Sequence, residues 1–182
     1  AMNYGFPKIE EELKKLKNNG CERILIFPMY PQYSATTTAS VIDRVFEFLK
    51  KTRWQPTIRI VPPYFDDPFY INALKINMEE HLKKKKIKEK SIVCSFHGIP
   101  KKYFLKGDPY HCHCAKTVRL LNEKMKGKYI FQMSFQSRFG PQEWLRPYMN
   151  EKMDELIKQK KENMVIMAPG FSVDCLETLE EI

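Results

Sequence analysis

Long apolar runs are missing from this 182-residue sequence. None approaches the ~20 residues that a helix needs to cross a bilayer, and the opening stretch lacks the basic-then-apolar layout of a secretory leader. Cysteine is sparse and poorly arranged for crosslinking. Cys21, Cys94, Cys112, Cys114 and Cys175 are odd in number and form no C-x-x-C pair. That pattern argues against a disulfide framework and favours a reducing compartment. A soluble, intracellular protein is the expectation. The densest basic block, Lys83-Lys84-Lys85-Lys86 with Lys88 and Lys90, contains neither arginine nor interleaved aromatics. Without them, stacking on nucleic-acid bases is not expected. A solvated helix end accounts for the run, with weak attraction to an anionic membrane surface as the other reading. Beyond the lysine excess behind the net charge of +9, no repeat or low-complexity tract is present.

What is there suffices for a core. Hydrophobic residues make up 43% and aromatics 13%, so disorder is not the expected state. The length fits one ordinary domain or two small lobes sharing a cleft. Ile9, Leu13 and Leu16 stripe a helix over Lys8 to Lys17, ended by Asn18-Asn19-Gly20 with glycine in a left-handed turn. Ile24 to Phe27 reads as a strand, followed by a loop from Met29 to Ser34. A helix is expected from Thr36 to Lys51, a strand from Thr57 to Val61, and a helix from Pro68 to about Lys86. The alternation repeats with a strand over Ser91 to Phe96, a helix over Tyr110 to Met125 and a strand over Tyr129 to Ser134. A helix from about Asn150 to Lys160, a strand from Met164 to Ala168 and a helix from Asp174 onward complete it. Alternating strands and helices predict parallel sheets covered by helices on both faces. The lysine-rich stretch divides the chain into lobes 1–86 and 87–182. The closing helix has no cap, glycine or polar tail, and we expect a piece of a longer chain.

Ligands of open α/β sheets bind beyond the carboxyl ends of the strands. That directs attention to the loops Met29–Ser34, Phe96–Pro100, Phe135–Pro141 and Pro169–Cys175. His97 stands there before Gly98, which lets the backbone turn; its imidazole suits ferrous iron and proton transfer, or caps the turn. Asp174, Glu177 and Glu181 share a helix face at spacings of three and four. They read either as a row passing on cations or protons, or as Asp174 capping the helix with Glu177 in a capping box. Trp144, Tyr30 and Tyr33 offer surfaces for a flat ligand, or core packing. Ser34, Thr36, Thr37 and Thr38 present hydroxyls at a helix start, for a carboxylate or phosphate, or as an ordinary cap. His111-Cys112-His113-Cys114 is too crowded for a tetrahedral metal site, and an iron–sulfur centre would want four placed ligands; structural cysteines are the preferred reading.

Five segments together resemble the ferrochelatases. They are Pro28-Met29-Tyr30-Pro31-Gln32-Tyr33-Ser34, Ser95-Phe96-His97-Gly98-Ile99-Pro100, Gly107-Asp108-Pro109-Tyr110, and Phe135-Gln136-Ser137-Arg138-Phe139-Gly140-Pro141 leading to Trp144-Leu145. The last runs from Pro169-Gly170-Phe171 through Asp174-Cys175-Leu176-Glu177-Thr178-Leu179-Glu180-Glu181-Ile182. The resemblance implies an α/β protein of two Rossmann-like lobes, the N-terminal one incomplete here, with a porphyrin cleft between them. It implies that His97 is the active-site histidine and Glu177 the essential glutamate facing it, both engaging the metal. Trp144 falls where the family has a tryptophan near the pocket, and Cys175 stands where some members have histidine, a bacterial-type form. A family N-terminal segment, with the first strand and the lip over the porphyrin, lies outside this sequence, as does a C-terminal portion.

The implied function is insertion of Fe²⁺ into protoporphyrin IX or coproporphyrin III. Tyr30, Tyr33, Ser34, Thr37 and Trp144 would contact substrate, and Asp174 and Glu181 would support Glu177. Iron is a substrate, no organic cofactor is expected, and the partners are porphyrin, ferrous iron and, peripherally, a membrane. The rival readings are a cobalt- or sirohydrochlorin-type chelatase, a non-catalytic haem or porphyrin binder, and a generic anion-binding module.

Overall fold

The computed structural model describes residues 1–159 and 164–181, which divide into two compact units, Ala1–Pro63 and Tyr64–Ile182. The first unit pairs β1 (Arg23–Ile26) with β2 (Thr57–Ile60) in parallel. Helices α1 (Ile9–Asn18) and α2 (Ser40–Lys50) cover them. Their apolar stripes meet in a small core of Ile9, Leu13, Ile24, Val45, Phe48 and Leu49. Gly20, at φ +79, supplies the left-handed turn that ends α1. The expected Thr36–Lys51 helix begins differently. A π-helical turn over Ala35–Ala39 precedes α2, with Ser34 as its cap, accepting from the Thr36 N–H at 3.2 Å.

The second unit is a three-stranded parallel sheet in the order β4-β3-β5, with β3 (Ser91–His97) central between β4 (Ile130–Gln136) and β5 (Val165–Met167). Every β3 residue from Ser91 to Phe96 is buried, as a strand covered on both faces requires. Side chains alternate across a sheet. Ile92, Cys94 and Phe96 therefore face α3 (Pro68–Lys85) and α5 (Tyr110–Met125) in one core with Ile71, Met78, Leu82, Val118 and Leu121. Val93, Ser95 and His97 occupy the other face, the side on which α6 (Met149–Lys158) packs against β4. Parallel strands under helices on both faces match the expected α/β class.

Asp67 caps α3 by accepting from the Phe69 and Tyr70 N–H groups at 2.8 and 3.2 Å, with Pro68 at the first helical position. Because α3 buries Ile71, Met78 and Leu82 in the second unit's core, the compact units part at Pro63–Tyr64. The lysine run at residues 83–90 marks a solvated helix end there rather than a gap between units.

Two further differences from the sequence reading are local. A short helix α4 (Lys101–Leu105) was not anticipated; its 5 residues are too few to show a period. The C-terminal helix is confined to α7 (Leu176–Leu179). The expected end of α6 at Lys160 and the terminal Ile182 lie outside the described residues.

Asn122 ties α5 to β4. Its side-chain amide donates to the Phe131 carbonyl at 3.0 Å, and its carbonyl accepts from the Phe131 N–H at 2.9 Å. Substituting Asn122→Ala leaves both half-buried backbone groups without these partners. The expected cost is about 1–3 kcal/mol of unfolding free energy, read from the urea midpoint at unchanged slope.

Candidate functional site

The strands of the second unit end along one edge of its sheet. β3 ends in His97, β4 ends in Gln136, and these two are register partners. His97 is thus the last residue of the strand rather than the first beyond it. Its ring is half-buried, and Nδ1 lies 2.6 Å from the Gly98 carbonyl. A carbonyl only accepts, so Nδ1 carries a hydrogen there, and Nε2 is the ring nitrogen left for a metal ion or a proton.

Gly98 makes this possible by its size. Its φ lies outside the left-handed region, but an added Cβ would sit 2.9 Å from the Gln136 carbonyl oxygen and 3.0 Å from the Trp144 ring. The glycine is required for close approach, not for the turn that the sequence suggested. Trp144 is only 5% exposed. It packs over Gly98 and against Phe139, with ring centroids 4.9 Å apart. Within this chain, the indole backs the His97–Gly98 segment instead of offering an open face. Its Nε1–H is buried without a partner among the described residues.

Beyond β5 the chain is fastened to α3, as the Tyr70 hydroxyl donates to the Pro169 carbonyl at 2.6 Å. It then reaches α7. Cys175, not Asp174, is the N-cap residue: its N–H donates to the Thr178 hydroxyl at 3.0 Å, and that hydroxyl donates to Asp174 at 3.2 Å. Threonine thus takes the place expected for Glu177 in the capping box, and the Glu177 side chain is released from capping. Glu177 is half-buried. A hydrogen bond from the Cys175 thiol, then its own backbone N–H, then the charge on His97 hold its carboxyl below the usual range.

The acidic row is looser than its spacing implied. α7 is only 4 residues long, so Asp174 and Glu181 lie off the helix and both are exposed. Among the described residues no three His, Cys, Asp or Glu side chains form a metal-holding group, so Asp174, Glu177 and Glu181 do not converge. Instead the Ser137 hydroxyl donates to the Glu181 carboxylate. Ser137 follows β4 with φ 62, a left-handed conformation that is strained for a residue other than glycine.

Gln136 was quoted in a motif without a role. It is 5% exposed, accepts from the Ser95 hydroxyl at 2.5 Å, and donates to the Glu177 carbonyl at 2.5 Å. A fully polar side chain closing a buried strand was the signal available for it.

Tyr30, Tyr33, Ser34 and Thr37 belong to the first unit, beyond the carboxyl end of β1. Both tyrosines are half-buried, while Ser34 is fully buried and caps the π-helical turn. The Thr37 hydroxyl donates to the Ser34 carbonyl at 3.4 Å. In the second unit, His113 stacks on Phe65 at 3.6 Å and Cys114 is buried in the core at the start of α5. His111 lies 5.8 Å from the Phe135 ring.

The family model described as ferrochelatase matches residues 1–182. The chain belongs to the ferrochelatase family. It is 54% identical, over 185 aligned positions, to proteins named ferrochelatase from Francisella tularensis subsp. holarctica (strain OSU18) and subsp. novicida (strain U112). The alignment covers all of this chain but 55% of each relative, so the chain spans about half the length of the ferrochelatases it matches. Cys175 and Glu177 are neighbours on the family's last motif, and their coupling is open to a direct check.

The thiol hydrogen bond stabilises the ionised form of Glu177. Removing it with Cys175→Ala therefore raises the Glu177 carboxyl toward its ordinary value. Side-chain carboxyl titration by ¹³C NMR reads this shift. The carboxylate's contribution to stability, present above its unfolded-state value and lost as pH falls through the depressed folded value, weakens accordingly in the variant. An unmoved or lowered titration would contradict the assignment.

Proposed function

We propose that the protein containing this chain inserts Fe²⁺ into protoporphyrin IX or coproporphyrin III, forming haem and releasing the two pyrrole protons. The observation that carries the reading is the half-buried His97 ring at the carboxyl end of β3, with Nδ1 held by the Gly98 carbonyl and Nε2 left for a metal ion or a proton, in a chain of this family. The exchange is redox-neutral, two protons for one divalent cation, and calls for no organic cofactor. A flat macrocycle shields its nitrogens, so the protein binds it bent and stabilises the distortion through ring-edge contacts. His97 lies toward one side of the ring as metal ligand or proton acceptor. Glu177 serves the other. Tyr30 and Tyr33 supply aromatic surface and Thr37 a hydroxyl for a carboxylate, while Ser34 caps the π-helical turn and Trp144 backs the His97–Gly98 segment. Two Rossmann-like lobes, one only partly present in this chain, belong to the same proposal.

Zinc insertion into protoporphyrin, followed optically in the full-length protein that contains this chain, tests it. His97→Ala and Glu177→Ala are each expected to lower turnover by about 10²-fold or more, as loss of a proton-transferring group does. Preference for cobalt or another tetrapyrrole would favour a related chelatase. Tight porphyrin binding with no insertion in the folded parent would favour a carrier.

The lysines support a peripheral role at a membrane on the cytoplasmic side. The last turns of α3, α5 and α6 and the loops entering β3 and β4 carry Lys83, Lys84, Lys85, Lys86, Lys88, Lys90, Lys124, Lys126, Lys128 and Lys158, all exposed. Hydrated point charges without arginine or aromatic stacking suit a diffuse anionic surface better than nucleic acid. Co-sedimentation with phosphatidylglycerol vesicles, but not phosphatidylcholine vesicles, is expected at low salt. Raising salt to about 0.5 M should abolish it by screening. The combined variant Lys84→Glu, Lys86→Glu, Lys88→Glu, Lys126→Glu should bind neither; equal binding to both vesicles would discard the idea.

A further inference from the structure

We propose that Gln136 is a positioning residue for Glu177, acting through the backbone of α7; this rests on the function proposed above. The amide of Gln136 is fixed in one orientation by its two partners. The Glu177 carbonyl can only accept, so the NH₂ group must face it, at 2.5 Å. The amide oxygen then faces Ser95, whose hydroxyl donates at 2.5 Å. Ser95 is fully buried in β3, two residues before His97, and Gln136 is the register partner of His97 in β4. One side chain thus connects the strand that ends in the histidine to the peptide group that launches the glutamate.

Two consecutive residues at the end of β4 reach this segment: Gln136, the last of the strand, holds the Glu177 carbonyl, and Ser137, just beyond it, holds the Glu181 carboxylate. Pinning the Glu177 carbonyl fixes the peptide plane next to its Cα, and so the direction in which the carboxylate departs. A purely structural glutamine would be satisfied within the sheet; this one spends its donor outside it.

The test uses the full-length protein with Gln136→Leu and Gln136→Glu. The leucine variant removes the donor. Amide exchange over residues 175–180, read by mass spectrometry, is expected to quicken about tenfold, as loss of one buried hydrogen bond allows, with β3 and β4 unchanged. Turnover for zinc insertion is expected to fall about 10- to 100-fold through misplacement of Glu177, with porphyrin affinity, from fluorescence quenching, within about twofold of the parent. The glutamate variant is isosteric and guards against misfolding of the leucine form. Ionised, it sets acceptor against acceptor; protonated, it donates to the same carbonyl. Its turnover relative to the parent should therefore recover as pH falls, and that of Gln136→Leu should not. Unchanged exchange over 175–180, or equal losses in turnover and porphyrin affinity, would overturn the inference. A folded parent with no insertion activity would instead sink the chelatase reading, while the exchange result would still decide the positioning role.

Discussion

Strand β3 is buried over six consecutive residues, Ser91 to Phe96, and is hydrogen-bonded along both edges, to β4 and to β5. A strand so enclosed cannot slip. Moving it by one residue would exchange its faces, bringing Ser91, Val93, Ser95 and His97 into the apolar layer under α3 and α5. Burying Ile92, Val93 and Phe96 contributes about 1.5–3 kcal/mol for each side chain, which makes the register of His97 one of the best-fixed features of the chain. The face that His97 shares is polar in a regular way. Ser91 accepts from Gln132 at 2.8 Å, Ser95 donates to Gln136, and the Ser134 hydroxyl lies 3.1 Å from the Met149 sulfur of α6. Each buried hydroxyl or amide there meets a partner, as burial demands.

The other chemical group is held on different terms. Glu177 belongs to a single helical turn with no buried residue, and its position depends on hydrogen bonds worth about 0.5–1.5 kcal/mol each. Tyr70 fastens Pro169, Gln136 fastens the Glu177 carbonyl, and Thr178 ties Cys175 to Asp174. Within this chain, the strand that ends in the histidine is held by a core and the backbone of the glutamate by polar contacts.

The fold class was legible because the strand–helix alternation is regular and the apolar stripes are unambiguous; the β3 and α5 boundaries fall within a residue of those read from the sequence. The residues at the site's edge were legible for the same reason, since strand ends could be located. What could not be read was cooperation across the chain. Gln136 and Glu177 are 41 residues apart, and nothing in local composition links a strand-end glutamine to a distant carbonyl. The acidic row misled because i, i+3, i+7 spacing means one face only if the helix continues, and this one stops at Leu179. Thr178 displaced Glu177 from the cap because a hydroxyl both accepts from Cys175 and donates to Asp174, which a carboxylate cannot do. The lysine run misled in a subtler way: a charge cluster marks where a helix meets water, and whether a unit ends there depends on what the helix buries.

The same run shows how a chain of net charge +9 distributes that charge along its strands. Parallel strands give the second unit two unlike ends. Helices α3 and α5 finish at the amino ends of β3 and β4, where lysines complement the negative end of the helix dipole. His97 and Gln136 sit at the carboxyl ends, and the 7 residues of β3 separate the two by about 23 Å. That is more than two Debye lengths at physiological salt, each about 8 Å, so the field of the lysine end is largely screened there. The topology that orders the strands thus also sorts the charge, keeping the lysine end apart from the end that carries His97.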